Sequence, residues 1–170
     1  MIKYEIELLL IYKEIYGKMI DEGLVTKAIQ DIPSYDVIRQ TVKDEQEKSS
    51  HGSHILTIFD DSREAFQSLD PLFTIGSHHM RCSAIVLAQM LYDESKHLRV
   101  ISANSTYQVL LKTLRNQRQI HTLATQLSKT QADFIVQSYL ASTKHPYSYL
   151  LIDFKGSQSD AIRLRSRIFK

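Results

Sequence analysis

Residues 55–61 constrain the fold more than any other stretch, because an apolar, β-branched run ends there in two adjacent carboxylates, Asp60 and Asp61. The length and composition of Ile55–Phe59 are typical of a strand buried on both faces, as in the middle of a parallel sheet. Aspartate is depleted in strands and costly to bury unpaired, so we expect both acids at the C-terminal edge of this strand. In open α/β sheets that edge is where ligands bind.

A hydrophobic strand that ends in two acids has the form of a Walker B element, in which the first acid holds Mg²⁺ and the second orients a water. The alternative is an ordinary strand end with solvated acids. The sequence contains no G-x-x-x-x-G-K-[ST] motif, and its five glycines are scattered singly. It therefore offers no row of backbone N–H groups and no lysine to cradle the β- and γ-phosphates.

Composition narrows the class of protein. With 170 residues, 43% hydrophobic and 24% charged, the chain is expected to form a single globular domain over 1–170. A net charge of +2 is too small to indicate nucleic-acid binding by itself. The one cysteine, Cys82, excludes an internal disulfide and suits a reducing compartment. The sequence shows no membrane-spanning run and no signal-peptide pattern, so we expect an intracellular location, in the cytosol or nucleus.

Hydrophobic periodicity predicts strands that alternate with helices, and hence an α/β sheet that is mostly parallel at its centre. Ser34 is expected to cap a helix over Tyr35–Glu47, and Asp70 to cap a short helix that Pro71 begins. Two further helices are predicted after Asn116, with apolar residues Ile120, Leu123, Ala124 and Leu127, and over Gln131–Ser142. The predicted strands are residues 5–12, Ile55–Phe59, Ser83–Ala88, His97–Ala103, Tyr107–Lys112, Tyr147–Phe154 and Ala161–Phe169.

The last eight residues carry four cations and no acid. In an alternating strand, Arg163, Arg165 and Arg167 would all point to one side. This strip is either a phosphate-contacting surface or a solvated strand face, and the sequence favours the solvated face.

Several ordered segments from Leu8 to the C-terminus resemble the packaging ATPases of Maverick/Polinton elements and related large DNA viruses, in the FtsK–HerA branch of the P-loop NTPases. The match includes the central strand that ends in Asp60 and Asp61, and the strand that ends in Gln89. Its other segments are Tyr12-Lys13-Glu14, Leu72–His79, Arg99–Asn104, Leu114-Arg115-Asn116, Pro146–Asp153, Arg163-Leu164-Arg165 and Ile168-Phe169. The resemblance implies a three-layer P-loop NTPase-like fold with a mostly parallel sheet.

The resemblance also implies roles for single residues. Asp60 would bind Mg²⁺, Asp61 would polarise the attacking water, and Gln89 would sense the γ-phosphate of ATP. Arg81, Arg99, Arg115 and Arg118 are candidates for an arginine finger that acts on a neighbouring subunit, and Arg115 is preferred because it lies in the family's arginine-containing turn. Without the family, Gln89 would be interpreted as a strand-end amide, and each arginine as a surface ion pair.

The implied cofactors are Mg²⁺ and ATP, and the implied partners are double-stranded DNA, further copies of the chain in a ring, and capsid proteins. A virion-associated location is a further possibility for such a protein. Relatives carry the Walker A strand and loop upstream of the segment that matches this chain. The chain is therefore expected to correspond to the portion from Walker B onward, as a truncated gene, a split gene or a fragment, and to be inactive alone. After Asp61, Ser62-Arg63-Glu64 departs from the apolar continuation of the relatives.

Two other functions stay open. The chain could be a non-hydrolytic remnant, a structural or interaction protein that keeps the ATPase fold. It could also be a Mg²⁺-dependent nuclease using Asp60, Asp61 and either His78 or His79, although nothing else in the sequence supplies a further metal ligand at an interpretable place. Adjacent histidines in an extended segment point to opposite sides, so one metal ion rarely takes both.

Overall fold

A computed structural model describes residues 17–22, 33–48, 54–60, 66–76, 79–92, 96–115, 117–155 and 162–167. Contacts divide the chain into two compact units, Met1–Pro33 and Ser34–Lys170. In the first unit, residues 17–21 are helical. The strand predicted over 5–12 lies outside the described residues. Because so little of the first unit is described, the expectation of a single domain over 1–170 stays a prediction.

The second unit begins with helix α1, Tyr35–Lys48. Ser34 caps it as predicted, since its Oγ accepts a hydrogen bond from the Val37 N–H at 3.4 Å. Ile38 and Val42, one helical turn apart, are its buried residues. Near its end, the Gln46 side chain donates to the Met80 carbonyl at 2.6 Å, which ties α1 to the segment before the second strand.

Strands β1, Ile55–Asp60, and β2, Cys82–Leu87, form a parallel pair, as predicted. The interpretation of β1 as buried on both faces is wrong, because its residues alternate between partly buried and exposed. Phe59, Ala84 and Val86 pack inward. The opposite face, which we call the outer face of the parallel pair, exposes four aliphatic side chains: Leu56 (55%), Ile58 (58%), Ile85 (44%) and Leu87 (49%).

Between these strands the chain forms α2, Phe66–Pro71, and a π-helical turn, Leu72–Gly76. The prediction that Asp70 caps a helix begun by Pro71 is wrong, because burial of Phe66 and Leu69 makes the chain helical earlier. Pro71 lacks an N–H and cannot continue the α-helical hydrogen-bond pattern, so the change to a wider turn follows. The Asp70 carboxylate instead contacts His97, with 2.6 Å between Oδ2 and Nδ1.

Helix α3 spans Lys96–Asn104, where a strand was predicted over His97–Ala103. The prediction was wrong because, in so short a run, the spacing of Leu98, Val100 and Ile101 fits both the two-residue period of a strand and the 3.6-residue period of a helix. Leu98 and Ile101, three residues apart, are both buried. The helix is favoured because it lets both side chains pack against α2 in one hydrophobic cluster. We call it the parallel-sheet cluster, and its buried members are Ile38, Phe66, Leu69, Leu72, Leu98 and Ile101.

The rest of the unit is antiparallel. Strands β3, Tyr107–Leu111, β4, Tyr149–Asp153, and β5, Leu164–Arg165, form a sheet in the order β3-β4-β5. Helices α4, Gln117–Leu127, and α5, Ala132–Ser142, connect β3 to β4 and match the two helices predicted here. The buried residues form an antiparallel-sheet cluster: Leu110, Ile120, Leu123, Ala124, Ile135, Val136, Tyr139, Leu150 and Ile152.

The prediction of a mixed α/β fold is confirmed. Over the described ranges, however, a single mostly parallel sheet in three layers is not seen, since the strands divide into a parallel pair and an antiparallel trio. The strand predicted over Ala161–Phe169 is reduced to two paired residues, and residues 161 and 168–170 lie outside the described part. Arg165 does not lie on a solvated face, because its guanidinium is paired with the buried Asp153.

Candidate functional site

The C-terminal ends of β1 and β2 bring two of the predicted site residues to one edge of the parallel pair. The register places Asp60 opposite Leu87, and Gln89 follows two residues later. Parallel strands run in the same direction, so both residues leave the pair at the same side. Each is exposed, and each makes a further polar interaction.

Asp60 is the described carboxylate at this edge. Its exposure at a strand end suits Mg²⁺, which keeps several waters and is commonly held by one or two carboxylates together with substrate phosphates. Within the described ranges, His, Cys, Asp and Glu side chains nowhere gather in a group of three that could hold a metal ion. Asp61, the second predicted acid, lies outside the described residues. At this edge the described residues thus offer one carboxylate, which by itself can supply one of the six ligands that Mg²⁺ takes.

Arg115 lies elsewhere in the fold. It is exposed in the turn between β3 and α4, which belong to the antiparallel half of the unit. Of the other arginines considered for the same role, Arg81 directly precedes β2, at the end of the parallel pair opposite Asp60, whereas Arg99 lies on α3 and Arg118 on α4. A residue that acts on a neighbouring subunit need not approach Asp60 within its own chain.

His79 lies at the wrong edge for the nuclease hypothesis. It precedes β2, whose first residue, Cys82, is opposite Ile55 at the start of β1. Ile55 is five residues from Asp60, or about 17 Å along a strand. His79 and Asp60 are therefore at opposite ends of the parallel pair and cannot share a metal ion. His78 lies outside the described residues.

The lone thiol is structural. Cys82 is 3% exposed, and its Sγ lies 3.8 Å from the Thr57 Oγ1 on the neighbouring strand. Burial raises the pKa of the Cys82 thiol, and the contact with Thr57 offsets only part of that rise. A buried thiol with a raised pKa is a poor nucleophile and a poor metal ligand.

Two features were missed by the sequence analysis. The first is an ion pair at the end of β4, in which the buried Asp153, 1% exposed, accepts hydrogen bonds from the guanidinium of the partly exposed Arg165 and from the Lys155 N–H. Nearby, the Lys155 ammonium lies 5.1 Å from the centre of the Tyr107 ring, and a hydrogen bond to Tyr107 raises the pKa of Lys155. The alternating arginines were visible in the sequence, but nothing marked Asp153 as the buried partner of Arg165.

The second is an open cavity of about 760 Å³, lined by α3, β3, α4 and two flanking residues, Tyr92 and Phe154. Arg99, Ser102 and Gln108 lie on one side, and Gln119 and Gln126 project from α4. These residues are far apart in the sequence, so no spacing pattern signals the cavity.

The chain was compared with known proteins, and it matches no protein family model, no curated protein and no solved structure. Across the described ranges, no helix has the length and hydrophobicity needed to cross a bilayer.

Proposed function

We propose that this chain is the portion from Walker B onward of an FtsK–HerA-type packaging ATPase, which in complete form couples Mg-ATP hydrolysis to translocation of double-stranded DNA. The observation that supports this proposal is the parallel pairing of β1 and β2, which brings Asp60 and Gln89 to one sheet edge. Strand ends of this kind are where α/β folds bind ligands.

The proposed roles follow from the chemistry of each side chain. Asp60 would hold Mg²⁺, which neutralises charge on the transferred phosphoryl group. Asp61 would accept a hydrogen bond from the attacking water and orient it. Gln89 would donate its amide N–H to the γ-phosphate, and Arg115 would reach the nucleotide of the next subunit in a ring. DNA and capsid proteins would be partners of that ring.

The proposal requires a phosphate cradle and at least one more strand. Over the described part of the chain, β2 is hydrogen-bonded to β1 alone, and the parallel and antiparallel sheets share no ladder. A Walker A strand added to β2 would extend the parallel sheet toward the three-layer arrangement that the family has. Its loop would then present backbone N–H groups to the phosphates beside Asp60.

The test is to supply a strand–G-x-x-x-x-G-K-[ST]–helix segment, fused upstream or as a separate chain. The 170-residue chain alone should show no ATP turnover, and the completed protein should bind ATP in a Mg²⁺-dependent manner. In the completed protein, Asp60→Ala should weaken binding of Mg-ATP. Asp61→Asn should preserve binding and stop hydrolysis, because an amide cannot accept a proton from water.

Arg115→Ala should reduce turnover only in the assembled ring, whereas the matched variant Arg118→Ala should not. ATP turnover by the pure chain alone, abolished by Asp61→Asn, would contradict the proposal by revealing a phosphate site within these residues. A completed protein without nucleotide affinity would contradict it as well.

Self-association is expected of the chain alone. The outer face of the parallel pair exposes Leu56, Ile58, Ile85 and Leu87 side by side, and contiguous apolar surface promotes association. Sedimentation at tens of micromolar, roughly the range in which such contacts form, should give a mass above the 19.6 kDa of one chain. Ile58→Lys with Ile85→Lys should shift the chain toward monomer, and Val37→Lys, at an exposed valine of α1, should not. A wild-type chain that sediments as a monomer would show that this face does not mediate self-association.

The second candidate is the non-hydrolytic remnant that keeps the fold for interaction. The observation that favours it is the same exposed aliphatic face, combined with the lack of a P-loop motif in the sequence. It predicts self-association without any gain of nucleotide affinity when the P-loop segment is supplied.

A further inference from the structure

We propose that an acid-free surface formed by α3, α4 and the residues just after α4 binds the phosphate backbone of duplex DNA. The inference rests on the proposed function for the identity of its partner, and it names the surface through which this chain would contact that DNA. The surface does not include Asp60, Gln89 or Arg115, so its binding can be measured without ATP.

A long stretch of the chain contains no acid. Residues 95–132 include no aspartate or glutamate, although at the chain's average of 19 acids in 170 residues such a stretch would hold about four. The same stretch carries six cations: Lys96, Arg99, Lys112, Arg115, Arg118 and Lys129. Helix α1, by contrast, mixes three cations with four acids. The positive charge of this nearly neutral chain is therefore concentrated on the elements from α3 to α4.

Three of these cations meet on one surface. Lys96 and Arg99, three residues apart, are both exposed on α3. Arg99 lines the open cavity of about 760 Å³, and Lys129, exposed just after α4, lines a second open cavity of about 600 Å³. The two cavities adjoin, because they share three lining residues: Thr122, Gln126 and Leu127. We call the surface that runs from Lys96 and Arg99 across these residues to Lys129 the basic surface.

The cations of the basic surface are not neutralised by neighbouring acids. Within the described part of the chain, none of Lys96, Arg99 and Lys129 forms an ion pair. Neither cavity has an acid in its lining. The Asp70 carboxylate does reach α3, but there it contacts His97. Three unpaired cations on one surface attract a partner that carries several negative charges.

The neutral side chains of the basic surface suit phosphate and sugar oxygens, which proteins contact through lysine, arginine and polar side chains. His121 and Gln126 are exposed on α4 and line the smaller cavity. The Gln126 Oε1 accepts a hydrogen bond from the Tyr92 hydroxyl at 2.7 Å, which leaves the Gln126 amide N–H groups to donate to another acceptor. These donors lie beside the cations, as binding to a nucleic-acid backbone requires.

The same helix argues against two other polyanions. The exposed residues of α4 are all polar: Gln117, Arg118, His121, Thr122, Thr125 and Gln126. A helix that lies on an anionic membrane needs exposed apolar side chains, and unpaired bases are held by exposed aromatic rings. The aromatic residues that line the larger cavity, Tyr92 and Phe154, pack against the antiparallel-sheet cluster. Duplex DNA keeps its bases stacked and presents phosphates, so it is the partner that fits.

The experiment titrates the full chain into a fluorescent duplex of about 20 base pairs at roughly 50–200 mM salt, without ATP or Mg²⁺, and follows anisotropy. Saturable binding is expected. The triple variant Lys96→Gln, Arg99→Gln, Lys129→Gln should weaken it by about tenfold or more and flatten the slope of log affinity against log salt by about 2.7, since each lost phosphate contact removes about 0.9.

The matched control is Arg39→Gln, Lys43→Gln, Lys48→Gln, which removes the same charge from exposed positions of α1. It should retain the slope of the wild type. All six positions are exposed, and thermal unfolding shows whether each variant is folded. An equal loss of affinity and slope in both triple variants would mean that net charge alone drives binding, and it would overturn the proposal.

Two other polyanions test the choice of partner. Single-stranded DNA with the same number of phosphates, and polyglutamate, should each bind more weakly than the duplex. Equal affinity for either, or no saturable binding at about 50 mM salt, would overturn the proposal. ATP binding by the completed protein is measured separately. Lost duplex binding with intact ATP binding would remove this surface alone, and the reverse result would remove the ATPase proposal alone.

Discussion

Arg165→Met should lower the free energy of unfolding by about 2 kcal/mol. This is less than for a fully buried ion pair, because the Arg165 side chain is 34% exposed and water can partly replace its guanidinium beside the buried Asp153. Asp153 is 1% exposed, so without the guanidinium its carboxylate would stay buried, and among the described residues the Lys155 N–H would be its remaining hydrogen-bond donor. Urea unfolding followed by circular dichroism measures the change.

The same strip of the chain provides the control. Arg167 is exposed, and Arg167→Met should change stability by no more than about 0.5 kcal/mol. Asp153→Leu combined with Arg165→Met should recover part of the loss, because an apolar pair removes the unpaired charge. Equal effects of the Arg165 and Arg167 variants would show that the ion pair contributes no more than a surface charge.

Tyr139→Phe should lower the free energy of unfolding by about 2 kcal/mol, although it removes a single oxygen atom. Tyr139 is 2% exposed on α5, and its hydroxyl accepts from the Thr113 N–H at 2.9 Å and donates to the Leu111 carbonyl at 3.1 Å. The phenylalanine variant would remove the hydroxyl that bridges the Thr113 N–H and the Leu111 carbonyl at the end of β3.

Tyr147→Phe is the matched control, since Tyr147 is 99% exposed and its hydroxyl is hydrated in both the folded and the unfolded chain. The expected difference between the two variants is again about 2 kcal/mol, measured by urea unfolding. A Tyr139→Phe protein as stable as Tyr147→Phe would mean that water replaces the hydroxyl at no cost.

Local sequence signals predicted much of the fold. Three of these signals each determine structure over a few residues, so they could be identified directly. They are the β-branched runs of β1 and β2, the Ser34 cap of α1 and the helical spacing in α4. Helix α3 was mistaken for a strand, because its apolar residues suit both periods and packing against α2 decides between them. The π-helical turn after Pro71 has no simple sequence signature.

The candidate site, too, has features that the sequence could predict and features that it could not. Asp60 and Gln89 could be predicted to share an edge, because the direction of parallel strands determines where their ends meet. The cavity could not be predicted, since its walls come from α3, β3 and α4, and its properties depend on which amide and guanidinium groups are already paired.

The two hydrophobic clusters have a consequence for how the chain opens. Every buried member of the parallel-sheet cluster precedes residue 102, and every buried member of the antiparallel-sheet cluster follows residue 109. Each cluster is thus assembled from neighbouring stretches of chain, the arrangement that yields separate cooperative units in hydrogen exchange. Gln119 joins the two by holding Leu91 and Tyr92, which follow β2, against α4. The Gln108 amide on β3, which donates to Ser102 on α3, is a second link of this kind, and the Tyr92 hydroxyl, which donates to Gln126, is a third. Release of these side-chain links would allow either half to exchange its protected amides while the other stays folded.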